Sequence, residues 1–394
     1  MRCSRASNCD TSPANPLKII FFANTDWYLY NFRLALAKYL RDQRLEVVML
    51  SPVGPYGELL RAEGFRWIGL EMNRRSLNPG RELALVRRIA AVYAAEKPDI
   101  VHHFTIKCVV YGSLIARWLG IRNRVNAVTG LGYVFSADGF RARLLRPIVR
   151  RLIRAALSGD GSCLILQNKD DVAAFVASRL AGKDHTHLIM GSGVDTSLFR
   201  PHDGERQAMP VMRVLLASRL LWDKGIREYI EAARLLRAEG LAVEFLLAGS
   251  PDPGNPASVP TSQVAKWQKA GSVTYLGHVS DMPRLLREID VAVLPSYREG
   301  VPRSLLEAAA CALPIVTTDV PGCREVVQQG VNGLVVPARD AKALAAAIRT
   351  LYESPAERLR MGRAAREIAV ADFDQTIVFE KTLGVYRELL TAAL

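Results

Sequence analysis

Two glutamates separated by seven residues could bind a polyhydroxylated ligand. Glu299 follows the apolar segment 291–294, and Glu307 lies two helical turns further on, near the same face. Gly300 lets backbone amides approach a ligand closely, and amides at a helix start bind oxyanions. Carboxylates accept hydrogen bonds from sugar hydroxyls. The alternative is a helix-start glutamate beside a favourable dipole and a glutamate on a solvated helix face.

Two cations form a second candidate group. Arg219 and Lys224 lie five positions apart, directly after the apolar segment 212–218 and before a predicted helix. Such a pair at the mouth of a strand suits a diphosphate, although a solvated basic loop would look similar. Because both groups follow strands of one predicted parallel sheet, they indicate one shared site at its carboxyl edge.

Alternating strands and helices must position these groups, and they predict an α/β protein with parallel sheets covered on both faces. We predict strands at 17–23, 46–51, 66–70, 98–103, 212–218, 243–249, 273–277, 289–295, 314–318 and 333–336. We predict helices at 31–42, 57–63, 81–96, 225–237, 282–288, 304–311, 341–352, 355–370 and 376–390, with a loop at 24–28. The two halves therefore have the same plan.

The length of 394 residues suits two domains, and 49% apolar residues with 23% charged is an ordinary globular balance. We predict a flexible tail at 1–16, a first domain at 17–199, a polar linker at 200–210 and a second domain from residue 211. The tail lacks the apolar centre of a secretion signal, and no long uncharged apolar run occurs. We therefore expect a cytoplasmic protein.

The net charge of +13 comes entirely from the first half of the chain. Residues 1–200 contain 29 Lys and Arg against 16 Asp and Glu, whereas residues 201–394 contain 23 of each. Six arginines in 140–156 alternate with a predicted apolar stripe at positions 140, 144, 145, 148, 149, 152 and 153. This pattern fits a helix on an anionic membrane surface, or a helix packed on the core with solvated arginines. No nucleic-acid module accompanies the basic run, so no nucleic-acid partner is expected.

The motifs together resemble a known family. Arg219-x4-Lys224, Ala248-Gly249 and Glu299-x7-Glu307 resemble glycosyltransferase family four, the retaining enzymes of the GT-B fold. Segments 191–199, 317–325 and 332–337 support the resemblance, which covers about residues 17–390. Segments 102–107, 129–135 and 297–307 are most similar to bacterial enzymes of surface-polysaccharide and lipid-linked glycan assembly.

The resemblance implies two doubly wound Rossmann-like domains facing each other across a cleft, with residues 373–394 returning to the first domain. It implies transfer of a hexose or N-acetylhexosamine from a UDP-sugar donor to a polyprenyl-diphosphate-linked saccharide at the inner face of the cell membrane. Retention at the anomeric carbon, without metal or cofactor, is also implied. Arg219 and Lys224 would hold the donor diphosphate, Glu299 the sugar hydroxyls and Glu307 the ribose. The implied donor-binding set is Arg219, Lys224, Gly249, Glu299, Gly300, Val301, Pro302 and Glu307.

The first half departs from the family pattern. The loop after the first strand contains no glycine, and the chain reads His102-His103-Phe104 where many members have His-x-His. By resemblance we favour His103, with His102 second, as the group that contacts the donor sugar beside the catalytic Glu299, Arg219 and Lys224. The implied acceptor or first-domain cleft residues are Asn24, Asp26, His102, His103, Lys107, Thr129 and Gly130.

Other functions stay open from the residues alone. Asp372 and Asp374 resemble a metal-binding Asp-x-Asp, although their place before the last helix predicts capping. A UDP-sugar 2-epimerase would use the same fold and donor but no lipid acceptor. A non-catalytic binder of anionic surfaces would explain only the charge.

Overall fold

The computed structural model describes residues 16–73, 78–128, 140–202, 210–252 and 255–392, with only the backbone over 140–145. Its strands are β1 Lys18–Phe22, β2 Glu46–Pro52, β3 Arg66–Leu70, β4 Ile100–Phe104, β5 Asn123–Val128, β6 Ser162–Leu166, β7 Thr186–Leu188, β8 Met212–Ala217, β9 Val243–Ala248, β10 Thr274–Gly277, β11 Val291–Leu294, β12 Ile315–Thr318 and β13 Gly333–Val336. Its α-helices are α1 Asp26–Asp42, α2 Gly57–Ala62, α3 Pro79–Glu96, α4 Ile106–Trp118, α5 Phe140–Leu157, α6 Lys169–Ala177, α7 Ile226–Ala238, α8 Thr261–Lys269, α9 Met282–Arg287, α10 Arg303–Ala310, α11 Cys323–Val326, α12 Ala341–Glu353, α13 Pro355–Asp372 and α14 Gln375–Thr391.

The strands of the described residues form two sheets. The first has the order β3-β2-β1-β4-β5-β6-β7 and the second has the order β10-β9-β8-β11-β12-β13. The pairs β1–β4 and β8–β11 are parallel. In each sheet the chain winds outward in one direction and then in the other, so the order reverses between β1 and β4 and between β8 and β11. Ligands of such sheets bind at the carboxyl ends of the strands that flank this reversal.

Alternating strand residues build the hydrophobic core on both faces of the second sheet. Val214 and Leu216 of β8 pack in one cluster with α7 and α12, whereas Leu215 faces the opposite cluster with α10 and α13. Ile20 and Phe22 of β1 similarly pack in one cluster with α3 and α4. Burial on both faces explains why these strands are apolar runs rather than alternating ones.

By compactness the chain divides into two units. Unit 1 runs to Ala127 and also takes in Pro147–Cys163 and the residues from Tyr386 onward, and unit 2 contains Val128–Arg146 and Leu164–Val385. These divisions fall at other positions than the predicted linker, whose residues 203–209 lie outside the described residues. The predicted domain boundaries therefore stay predictions.

The predicted α/β plan is confirmed, with one correction at the first helix. The sequence predicts a loop over 24–28, but α1 begins at Asp26 because the Thr25 side chain accepts a hydrogen bond from the Tyr28 amide, 3.1 Å away. A threonine cap satisfies an amide that the first helical turn would otherwise leave without a partner. Strands β5 to β7 and helices α4, α6, α8 and α11 were not predicted.

The basic helix α5 does not present its apolar stripe as one surface. Ile153 is buried, whereas Ile148 is 55% exposed and Leu152 is also exposed. Arg150 and Arg151 are exposed on the same helix, and the side chains of 140–145, including Arg143, lie outside the described residues. At 100° per residue, positions 148 and 152 point away from the face that carries Ile153. The predicted single stripe is therefore wrong for Ile153, which packs in the core of unit 1.

Candidate functional site

An ion pair joins the two predicted motifs of unit 2. Lys224 follows β8 and Glu299 follows β11, and the Lys224 ammonium contacts Oε1 of Glu299. Their side chains are 17% and 11% exposed. Because β8 and β11 flank the reversal of strand order, the pair lies where an α/β sheet binds its ligand. The sequence prediction that these groups share one edge is confirmed.

A close approach of backbone fixes Lys224. Gly225 follows Lys224 with φ of 72°, and a Cβ there would lie 1.9 Å from the carbonyl oxygen of Pro295. A side chain at this position would therefore separate the loop after β8 from the loop after β11. The glycine lets the two loops that carry the ion pair pack against each other.

Arg219 lies at the same edge but is more open. Its Nη1 is 2.9 Å from Oδ2 of Asp252, and its side chain is 53% exposed. Gly249, at the end of β9, donates its amide to the Gly277 carbonyl at 2.7 Å. The Gly249 carbonyl in turn accepts from the Tyr275 hydroxyl at 3.0 Å. Gly249 therefore bonds to β10 at the end of β9, just before the loop that contains Asp252.

Helix α10 carries the second glutamate of the motif. Pro302 precedes α10 as its N-cap residue and makes no side-chain capping hydrogen bond. Glu307 accepts from Nε of Arg303 at 2.8 Å. Burial raises the pKa of Glu307, and the Arg303 guanidinium opposes that shift. Gly300 and Val301, half-buried in the loop before α10, complete the predicted donor set.

His103 lies inside the core of unit 1. Its Nε2 is 3.0 Å from the Tyr93 hydroxyl, and its Nδ1 is 2.9 Å from Oδ1 of Asn126. The ring is completely buried, and burial lowers its pKa to about 4. Both ring nitrogens are thus occupied by core residues. The geometry gives no support to the predicted contact between His103 and a donor sugar, because the strand turns this ring toward α3 and α4.

His102 faces the opposite side of β4 and is also buried. Its Nδ1 is 2.6 Å from the Tyr386 hydroxyl, and its Nε2 has no hydrogen-bond partner. Burial lowers its pKa well below the usual value, and the charge of Arg33 adds to that effect. The side chain is 2% exposed, so it is not open to a ligand in this structure.

Asp26 is a structural residue in this geometry. Its carboxylate accepts the amides of Trp27, Tyr56 and Gly57 at 2.8, 2.7 and 3.1 Å, and it is buried. These bonds connect the start of α1 to the loop after β2. They use the carboxylate oxygens that would otherwise bind an acceptor substrate. Asn24 lies in the preceding bend and is half-buried.

Lys107, at the start of α4, is held within unit 1. Its ammonium donates to Oε1 of Glu82 at 3.0 Å and to the Asn73 carbonyl at 2.9 Å. The predicted residues Thr129 and Gly130 lie outside the described residues. The structure thus pairs Lys224 with Glu299 at the edge where Arg219 also follows β8, and it places Glu307 within α10 beside Arg303. The described residues that were predicted in unit 1 are mostly committed to internal bonds.

Asp374 caps the last helix. Its Oδ1 accepts the Thr376 amide at 2.9 Å, and its Oδ2 accepts from the Thr196 hydroxyl. The capping prediction for Asp374 is confirmed. Among the described residues, no cluster of three His, Cys, Asp or Glu side chains could hold a metal ion.

Several residues beside Glu299 were not predicted. The Tyr297 hydroxyl lies 2.8 Å from one carboxylate oxygen of Glu228, and burial together with that carboxylate raises the pKa of Tyr297 to about 12. Asn168 and Asp171, at the start of α6, bond to the same loop from another side. An Asn three residues before an Asp is a helix-start signal in the sequence, but it does not indicate a contact 127 residues away.

Comparisons with known proteins define the class. The family described as "Glycosyl transferases group 1" matches residues 212–354, and "Glycosyl transferase 4-like" matches residues 18–162. The capsular polysaccharide biosynthesis glycosyltransferase CapM of Staphylococcus aureus is 30% identical over 320 residues, which are 78% of this chain and 82% of CapM. The chain therefore belongs to the group 1 and 4-like glycosyltransferases, as the resemblance in its motifs predicts.

Two further proteins resemble the chain over nearly its whole length. The N,N'-diacetylbacillosaminyl-diphospho-undecaprenol alpha-1,3-N-acetylgalactosaminyltransferase of Campylobacter jejuni is 29% identical over 386 residues, with 95% of this chain and 99% of the relative covered. The structure of Anabaena HepE in complex with UDP and glucose matches with a TM-score of 0.75 and 22% identity over 94% of this chain and 99% of HepE. The predicted GT-B fold is confirmed, and the chain is a glycosyltransferase.

Proposed function

We propose that this glycosyltransferase moves a hexose or N-acetylhexosamine from a UDP-sugar to a polyprenyl-diphosphate-linked saccharide, with retention and without a metal. The observation that carries the proposal is the Lys224–Glu299 ion pair at the strand reversal of unit 2. It combines a cation for a diphosphate with a carboxylate for sugar hydroxyls. In a UDP-sugar the diphosphate is bonded directly to the sugar that bears the hydroxyls.

The charges at this edge support a diphosphate ligand. An ammonium has three N–H donors, so Lys224 can keep Glu299 and still donate to a phosphate oxygen. Arg219 is half exposed and can exchange Asp252 for a phosphate, with which a guanidinium forms paired hydrogen bonds. The start of α10, whose N-cap residue Pro302 makes no side-chain capping bond, favours an anion as well. Glu307, one turn from Arg303, is proposed to accept from the ribose hydroxyls.

The acceptor class rests on similarity. The Campylobacter jejuni relative covers nearly the whole chain, and its name specifies a saccharide on diphospho-undecaprenol. Retention at the anomeric carbon rests on the family resemblance in the motifs. We therefore propose a lipid-diphosphate-linked saccharide as acceptor, with unit 1 as its binding region.

Surface features of unit 1 support an approach to an anionic membrane. Arg150 and Arg151 of α5 are exposed beside Ile148. Trp118 is 77% exposed at the end of α4, and the adjacent Arg117 donates to the Ser158 hydroxyl at 3.0 Å, just beyond α5. Exposed basic and aromatic side chains on these two helices suit the bilayer interface. No helix in the described residues is long and apolar enough to cross a bilayer. We propose peripheral binding on the cytoplasmic side.

A transfer assay tests the reaction. The protein is incubated with radiolabelled UDP-sugars and short lipid-diphosphate saccharides, and NMR of the product gives the anomeric configuration. We expect label in the lipid phase with the donor's configuration. Formation of a free epimer, or an inverted product, would contradict the proposal.

Vesicle sedimentation tests the membrane part. We expect binding to anionic but not to neutral vesicles, with release at 1 M salt because the Debye length falls to about 3 Å. Each exposed arginine contributes about 1 kcal/mol near an anionic surface, so Arg150→Gln with Arg151→Gln should weaken binding. Arg360→Gln with Arg363→Gln, on exposed positions of α13 in unit 2, is the matched control. Equal loss in both pairs of variants would refute a specific role for α5.

A further inference from the structure

The loop that carries Glu299 is attached on both sides of that residue. Arg298, immediately before it, donates from Nη2 to Oδ1 of Asp171 at 3.0 Å. The Gly300 carbonyl, immediately after it, accepts from Nδ2 of Asn168 at 3.4 Å. Both partners belong to the start of α6, and all five residues lie in unit 2. Glu299 is therefore the one residue between two attachments to the same helix start.

The helix start that makes these attachments is itself held by hydrogen bonds. Oδ1 of Asn168 accepts the Asp171 amide at 2.7 Å, and its Nδ2 donates to Oδ2 of Asp171 at 3.0 Å. Asn168 is completely buried, and Asp171 is 4% exposed. A buried carboxylate that loses one partner keeps its desolvation penalty, so Asp171 strongly favours Arg298 in place.

A further contact joins the start of α6 to α11. The carboxylate of Glu325 accepts the Lys169 amide at 3.1 Å, just after Asn168. Gly322, close to Glu325, packs against the loop of Glu299, since a Cβ there would lie 1.9 Å from the Gly300 carbonyl oxygen. The start of α6 and the loop after β12 thus both lie against the carbonyl group of Gly300.

We propose that Asp171 and Asn168 are positioning residues that hold the 298–300 loop so that Glu299 meets both Lys224 and the donor sugar. The inference rests on the proposed function only for the identity of the ligand. Misplacement of a reacting or binding group by about 1 Å can cost 100-fold in rate, so a fixed loop serves the reaction. Without the attachments, Glu299 keeps its chemistry but loses its fixed place.

The test uses the full chain with Asp171→Asn, Arg298→Gln and the double variant. Hydrogen exchange of the amides 297–301 is measured without ligand, and affinities for UDP and for UDP-N-acetylglucosamine or UDP-glucose are measured by calorimetry. We expect at least ten-fold faster exchange and about ten-fold lower kcat in each single variant. The double variant should be no worse than the worse single one. UDP lacks the donor sugar that Glu299 would contact, so the affinity for UDP should stay within two-fold. The affinity for the sugar nucleotide should fall.

Asp170→Asn is the matched control. Asp170 is the neighbouring residue, and it pairs at 3.0 Å with Arg324 in a bridge whose side chains are both about half exposed. In this variant, hydrogen exchange of the amides 297–301 and kcat should stay within two-fold of the unaltered protein. Equal effects of Asp170→Asn and Asp171→Asn, or unchanged exchange at 297–301, would overturn the inference. So would an equal loss of UDP affinity. If the unaltered protein turns over no sugar nucleotide, the proposed function fails, and hydrogen exchange still decides whether the attachments hold the loop.

Discussion

The two sheets reverse their strand order in the same way, yet the polar residues at the two reversals differ. Beside β8 and β11, Lys224 and Glu299 are paired but partly open to solvent. Beside β1 and β4, Asp26 and His103 are buried and bonded to several core groups each. A polar residue at a strand end is thus not a ligand-binding residue by position alone.

The difference is one of unused hydrogen-bonding capacity. Lys224 has further N–H donors beyond its bond to Glu299, whereas His103 has two ring nitrogens and both have core partners. A ligand can therefore bind Lys224 without disrupting the fold, but it could reach His103 only by breaking buried bonds. This contrast predicts that substitutions beside β8 and β11 change turnover. Substitutions beside β1 and β4 should change stability.

Lys224→Ala should have the largest effect on turnover. The variant loses a charge-assisted bond to the donor and leaves Glu299 without its partner, and such bonds contribute about 1.5–3 kcal/mol each. We expect turnover to fall at least ten-fold, and about 100-fold if both contributions are lost, since each decade corresponds to about 1.4 kcal/mol. The measurement is kcat together with the thermal midpoint. The control is Lys266→Ala, at an exposed lysine of α8. Full activity of Lys224→Ala would contradict the assignment of the donor site to unit 2.

His103→Gln should lower stability rather than the activity of the folded protein. It disturbs buried bonds to Tyr93 and Asn126, so the free energy of unfolding should fall by about 1–3 kcal/mol at pH 8. The lowered pKa of His103, about 4, also predicts a pH effect. The unfolded chain binds a proton near pH 6.5 and the folded chain does not, so stability is present above pH 6.5 and is lost as the pH falls toward 4.

Denaturant unfolding at several pH values checks this prediction. The loss of stability between pH 6.5 and 4 should be smaller in His103→Gln than in the unaltered protein. His185→Gln, at an exposed histidine, should keep the original slope. A large drop in kcat for His103→Gln with unchanged stability would instead favour the donor-sugar contact that the sequence predicts.

Arg219→Ala should have a smaller effect than Lys224→Ala. Arg219 is half exposed and already paired with Asp252, so solvent screens part of its attraction for a phosphate. We expect about a ten-fold loss in kcat/KM for the donor, measured by initial rates. Asp252→Asn is the complementary test, because it removes the carboxylate charge that pairs with Arg219. A raised donor KM in Asp252→Asn would show that the pair itself, rather than free Arg219, serves the site.

A chelator should have the smallest effect. The proposed site neutralises the diphosphate with Lys224 and Arg219, so activity in excess EDTA should equal that of untreated protein. The assay compares initial rates before and after dialysis against EDTA, and then with added magnesium or manganese. Loss with EDTA and recovery with either ion would disprove a metal-independent reaction.

The sequence by itself determined the α/β plan and the edge where Lys224 meets Glu299. Apolar runs followed by glycine and charged residues are local signals, and parallel strands bring such ends together whatever the details of packing. Residues near each other in the chain, such as Asp374 and the helix it caps, were predictable for the same reason.

Only the tertiary structure decided the hydrogen-bond partners of His103, Asp26 and Asp171. Which face of the sheet a strand residue takes depends on one step of alternation, so the adjacent histidines of β4 are buried against different helices. Asp26 and Asp171 are held by partners at Tyr56 and Arg298, which are 30 and 127 residues away. Contacts at such separations follow from how the loops of neighbouring strands pack, and no local pattern encodes them.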